Sequence, residues 1–117
     1  MLLSNDIITI PDFIFVRVRS IVTDESGVDE YEMEIIDDES RSQYVIERSS
    51  YEILGLYQRV GKIHGVNTPE DLQDILFTEA YCSHDVKKVT IQNHVNELTK
   101  NHNLKNNAEL ASFLDIA

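Results

Sequence analysis

Between Asp24 and Glu39 the chain places nine acidic residues, Asp24, Glu25, Asp29, Glu30, Glu32, Glu34, Asp37, Asp38 and Glu39, and no basic one. Inside that run Tyr31-Glu32-Met33-Glu34-Ile35 alternates apolar and acidic side chains. A period of two is that of a β-strand, whose successive side chains point to opposite faces. The segment therefore reads as a half-buried strand. One face packs, and the other turns a ridge of carboxylates toward solvent.

The flanking sequence supplies partners for it. Phe13–Val22 is rich in β-branched and aromatic residues, and Arg17 and Arg19 alternate there with Val16 and Val18. The two arginines are expected across from Glu32 and Glu34, where cross-strand pairs contribute roughly 0.2–1 kcal/mol each. Thr23-Asp24-Glu25-Ser26-Gly27 contains the glycine that a turn would use. A strand around Glu30–Asp37, an acidic turn and a strand around Gln43–Glu47 follow. Ile7-Ile8-Thr9-Ile10, ended by Pro11, is a further short β candidate.

After Ser49 the apolar period lengthens. Ser49-Ser50-Tyr51-Glu52 has the spacing of a capping box, and Ile53, Leu56, Tyr57, Val60 and Ile63 recur at helical intervals up to Gly65. Thr68-Pro69-Glu70-Asp71 signals a second helix, with Leu72, Ile75 and Leu76 inward. A third is expected from near Val86 or Thr90 to Lys100, burying Ile91, Val95 and Leu98, although Val86–Ile91 also reads as a strand. A last short helix begins near Asn106, burying Leu110, Phe113 and Leu114. The order of elements predicts one α+β domain over residues 1–117: an N-terminal antiparallel sheet, then three to four short helices.

The formal charge of −11 repels nucleic acid backbones and anionic membranes and favours basic partners. The imbalance is local, since residues 1–55 hold 13 acidic and 4 basic side chains and residues 56–117 hold 8 and 6. No apolar stretch is long enough to cross a bilayer, and the first residues lack the pattern of a signal peptide. A single cysteine, Cys82, agrees with a reducing compartment. A cytoplasmic protein is expected.

Little in the chain points to chemistry. His64, His84, His94, His102 and Cys82 lack the paired ligand spacing of a zinc site. Asp24–Glu30 resembles a calcium loop in composition only. Phosphate loops, nucleophile elbows and zincin helices are missing. No catalytic residue, cofactor or metal is expected, and the protein reads as a non-enzyme.

Two resemblances add expectations. Thr90-Ile91-Gln92-Asn93-His94-Val95, followed by Asn103-Leu104-Lys105-Asn106-Asn107-Ala108-Glu109-Leu110, resembles the last half of LuxR/GerE-type helix-turn-helix domains. In that family the first segment lies on the recognition helix, and Gln92 stands where the family carries Lys or Arg. In length, acidity and order of elements the whole chain is similar to PrgU-type regulators of conjugative plasmids. Those are described as PUA-like small β-barrels, a fold associated with RNA. That resemblance implies a bacterial or plasmid-borne negative regulator, and a barrel would need more strands, with Val86–Ile91 the obvious candidate.

Together these readings predict a regulatory or accessory protein that binds a macromolecule, RNA slightly ahead of protein. RNA contact would come from Arg59, Lys62, Lys87, Lys88, Lys100 and Lys105, with Tyr57 or Tyr81 stacking on a base. The alternative is a protein-interaction module or nucleic-acid mimic presenting Glu30, Glu32, Glu34, Asp37 and Asp38 to a basic partner.

Overall fold

The computed structural model describes residues 14–37, 43–77, 83–102 and 106–116. Strands β1 (Ile14–Thr23), β2 (Asp29–Asp37) and β3 (Gln43–Ser49) form an antiparallel sheet in the order β1-β2-β3. Helices α1 (Ser50–His64), α2 (Leu72–Phe77), α3 (His84–Asn101) and α4 (Ala108–Phe113) follow. The α+β class and the sheet-then-helices order are those expected from the change of period. Among the described residues the sheet is open and three-stranded, and Val86–Ile91 lies within α3 and adds no strand. Ile7–Ile10 lies outside the described residues.

The β1–β2 turn is built by Asp24, whose Oδ1 accepts from the backbone N–H groups of Ser26 and Val28 and from the Ser26 hydroxyl. Gly27 closes it at φ 86°, in the left-handed region where a Cβ is strained. Upstream, the register with β2 shifts between Val18 and Ser20. This bulge reverses the parity of β1. Ile14, Val16 and Val18 point inward before it, and Ile21, opposite Tyr31, packs against the core after it. Arg17, Arg19 and Val22 consequently share the outer side.

The inner face carries Ile14, Val16, Val18, Tyr31, Met33, Ile35 and Ile46. Helix α1 covers it with Ile53, Leu56, Tyr57 and Val60, and α3 with Ile91, Val95 and Leu98, all buried. Each aliphatic side chain fully removed from water contributes about 1.5–3 kcal/mol. Ile63, expected inward, is exposed, because α1 has passed the edge of the core by its last turn.

The helix ends follow local chemistry. Ser49 caps α1 in a complete capping box with Glu52, and Gly65 ends it at φ 71°. Helix α2 begins at Leu72, after a turn at residues 70–71, rather than at Pro69. Helix α4 is capped by Asn107, whose side chain accepts from Leu110 N–H, one residue later than expected. The Tyr44 hydroxyl donates to Leu114 O, and Arg48 Nε donates to Phe113 O at 3.0 Å. These bonds fix the C-terminal helix to β3.

Candidate functional site

No described helix lies over the outer face of the sheet, and register decides what it presents. Arg17 lies opposite Glu34, with Nη2 2.6 Å from Oε1, and Arg19 Nε lies 3.5 Å from Glu32 Oε1. The two arginines sit where the sequence put them, each paired with one carboxylate of the acidic ridge. Glu34 is only 7% exposed beneath Arg17. Its expected role as a presented carboxylate is corrected on that ground: it is packed and paired. Asp37 is half-buried at the end of β2, and Asp38 lies outside the described residues.

The other end of the face differs. Glu32 pairs in register with Glu47, and Glu30 with Ser49, so carboxylates meet across β2 and β3. Among the described residues neither Glu30 nor Glu47 has a cationic partner. Together with Ser20 and Val22 these carboxylates line a depression of about 220 Å³. Val22, 63% exposed, forms an apolar wall of it. Glu47 is the residue that sequence reasoning missed. It lies beyond the acidic run, and only the β2–β3 register brings it against Glu32.

Partial burial, followed by the negative charges of Glu52, Glu47 and Asp24, raises the Glu30 carboxyl above the ordinary carboxylate range. The folded state therefore holds this proton more tightly than the unfolded chain does. Above the raised value, ionised Glu30 opposes folding, and the penalty disappears as pH falls through it. Glu30→Gln is accordingly expected to raise the thermal midpoint at neutral pH, with the gain shrinking to nothing in acid. Thermal melts of both proteins across the carboxylate range check this; a gain that grows in acid contradicts the crowding.

The residues expected to meet RNA do not share one surface role. Lys87 is 1% exposed, and its Nζ sits 3.1 Å from Oδ2 of Asp29, itself 4% exposed. Oδ1 of the same carboxylate accepts from the Thr23 hydroxyl at 2.6 Å. Lys87 is thus corrected from surface contact to interior ion pair, tying α3 to β2. The pair lies beside a cavity of about 250 Å³ that Ser50, Tyr51 and Phe77 also line. Tyr57 is likewise buried, which removes it from base stacking. Lys88 Nζ is 3.5 Å from Asp85. Arg59, Lys62 and Lys100 are exposed; Tyr81 and Lys105 lie outside the described residues.

Helix α3, whose sequence resembles a recognition helix, lies against the edge of the sheet. Gln92 Oε1 accepts from Val18 N–H at 3.0 Å, so this side chain is engaged within the fold. Comparison with family models and with curated proteins finds no match to the chain. Among the described residues no cluster of His, Cys, Asp and Glu is arranged to hold a metal ion. No described helix is long and apolar enough to cross a membrane.

Proposed function

We propose that the chain is a non-catalytic accessory or regulatory protein that binds a basic segment of another protein through the outer face of its sheet. The observation that supports this is the depression at Glu30, Glu32 and Glu47. Three carboxylates surround it, Arg19 offsets only one of them, and Val22 offers an apolar wall. A lysine or arginine side chain matches both features, laying its aliphatic stem on Val22 and its charged head among the carboxylates. The −11 charge of the chain would speed the encounter, and salt would weaken it.

The test is a fluorescence-anisotropy titration with a labelled arginine-rich peptide. Glu30→Gln combined with Glu47→Gln is expected to weaken binding about tenfold, close to 1.4 kcal/mol. The same charge change at the exposed Glu70 and Asp74 of the 70–77 segment should leave affinity nearly unaltered. Equal weakening by both pairs would reduce the effect to net charge and reject the site. Binding of single-stranded RNA that is lost on reversing Arg59 and Lys62 would replace this reading with the RNA one.

A further inference from the structure

The two outer strands of the described sheet are treated differently. On β1 the backbone groups that point away from β2 belong to Ile14, Val16 and Val18, and side chains of α3 bond at each of them. Alternation through the antiparallel register then assigns the groups of β3 that point away from β2 to Gln43, Val45, Glu47 and Ser49. Ser49 N–H donates to Glu52 Oε1 at 3.0 Å, and Glu47 C=O accepts from Arg48 Nη1 at 2.7 Å. Short of that end, the Val45 N–H, the Val45 C=O and the Glu47 N–H have no partner among the described residues. Gln43, Val45 and Glu47 are all exposed.

Such an edge is matched by a polypeptide in extended form, whose N–H and C=O groups repeat at the spacing of the strand. Nucleic acid backbones and small molecules lack this repeat. Side chains narrow the partner further. Val45 and Glu47 both stand on the outer face, opposite Glu34 and Glu32, about 7 Å apart along the strand. An added strand sets one residue beside each, with Cβ atoms about 5 Å away. Beside Glu47 the match is a cation. Strand β2 would lie about 10 Å from the added strand, so an arginine there also extends toward Glu32 and Glu30. Beside Val45, 44% exposed, the match is apolar. A second copy is disfavoured, because two acidic faces of a chain with charge −11 would come side by side.

We infer that the 43–47 edge of β3 takes up an extended segment of a basic protein as a fourth, antiparallel strand. Arginine or lysine stands opposite Glu47, and a β-branched residue two positions later stands opposite Val45. The antiparallel sense continues the sheet and is the more stable pairing. This mode rests on the acidic depression being the site of a basic segment, and adds that segment's conformation and side-chain order.

The probe is the peptide Thr-Thr-Arg-Thr-Val-Thr-Thr, blocked at both ends, titrated into the full chain and followed by backbone amide NMR shifts. Methylating the valine nitrogen removes the N–H aimed at Val45 C=O, and should weaken binding at least about tenfold. The same methyl group on the threonine between arginine and valine points away from β3, so affinity should stay within about twofold. At saturation with the unmethylated peptide, hydrogen exchange at the Val45 and Glu47 amides should slow at least about tenfold. Strand addition is overturned if both methylated peptides bind like the parent peptide, or if the Val45 amide gains no protection. It is also overturned if the unmethylated peptide does not bind at millimolar concentration. Should Glu30→Gln with Glu47→Gln still weaken binding in the first two cases, the acidic site survives without the added strand. Unchanged affinity in that double variant would instead remove the acidic site, and the basic partner with it.

Discussion

Lys87→Met is expected to destabilise the protein by about 3–5 kcal/mol, a large part of the roughly 5–15 kcal/mol that holds a domain of this size together. The methionine fills most of the space of the lysine stem. The loss comes from Asp29, 4% exposed, whose carboxylate keeps among the described residues the Thr23 hydroxyl on one oxygen. Coupling Lys87→Met with Asp29→Leu should recover most of the deficit, since an apolar pair of similar volume often replaces a buried ion pair without loss. Urea denaturation of both variants, read from the midpoint at constant slope, decides the matter. If the single variant stays within about 1 kcal/mol of the parent, the pair is far better solvated than its burial indicates. A consequence follows for nucleic-acid assays: Lys87→Glu would set two carboxylates together in the interior, so any lost RNA retention would report unfolding.

That pair was legible in the sequence, had the alternation been followed one residue further. Tyr31, Met33 and Ile35 face inward, and the same parity carries Asp29 inward with them. On α3 the buried stripe Ile91, Val95 and Leu98 extends one turn back to Lys87. A carboxylate and an ammonium on two converging apolar stripes are expected to meet, because neither can be buried alone. Reading Lys87 as surface charge followed residue type where residue position was the better guide. Tyr57 failed in the same way, since its place between Leu56 and Val60 marked it as core.

The fold was legible wherever a local rule determined it. The capping box at Ser49, the glycine stop at Gly65 and the period of β2 depend only on residues close in the chain. The start of α2 and the cap of α4 moved by one to three residues, the usual uncertainty of helix ends. The candidate site depended on contacts across the sheet, which periodicity does not supply. The approach of Glu47 to Glu32 requires the β2–β3 register, and the outward turn of Val22 requires the bulge after Val18. The residues that now distinguish the acidic face are those that long-range pairing alone could place.

Long-range pairing also explains why α3 combines an apolar stripe with a polar one that is not free. Among the described residues β1 is an outer strand, and unpaired N–H and C=O groups there would invite another chain to add to the sheet. Asn96 occupies that position instead: its Oδ1 accepts from Val16 N–H and its Nδ2 donates to Val16 C=O, both at 2.8 Å. The side-chain amide thus does what the peptide group of a neighbouring strand would do. Gln92 serves Val18 N–H, and the Thr99 hydroxyl donates to Ile14 C=O at 3.2 Å. The spacing works because four helical residues advance about 6 Å and two strand residues about 6.6 Å. Asn96→Leu keeps the bulk and removes both bonds, leaving two backbone groups without partners. It is expected to cost about 2–3 kcal/mol, less than two fully buried losses because the site is partly wet. The freed edge should also associate, so sedimentation equilibrium of Asn96→Leu is expected to show a concentration-dependent rise in mass that the parent lacks. Asn96→Asp retains the acceptor but sets a carboxylate against Val16 C=O, and should not rescue either property. A variant at Asn96 that stays monomeric and loses under about 0.5 kcal/mol would mean that Gln92 and Thr99 close the edge without it.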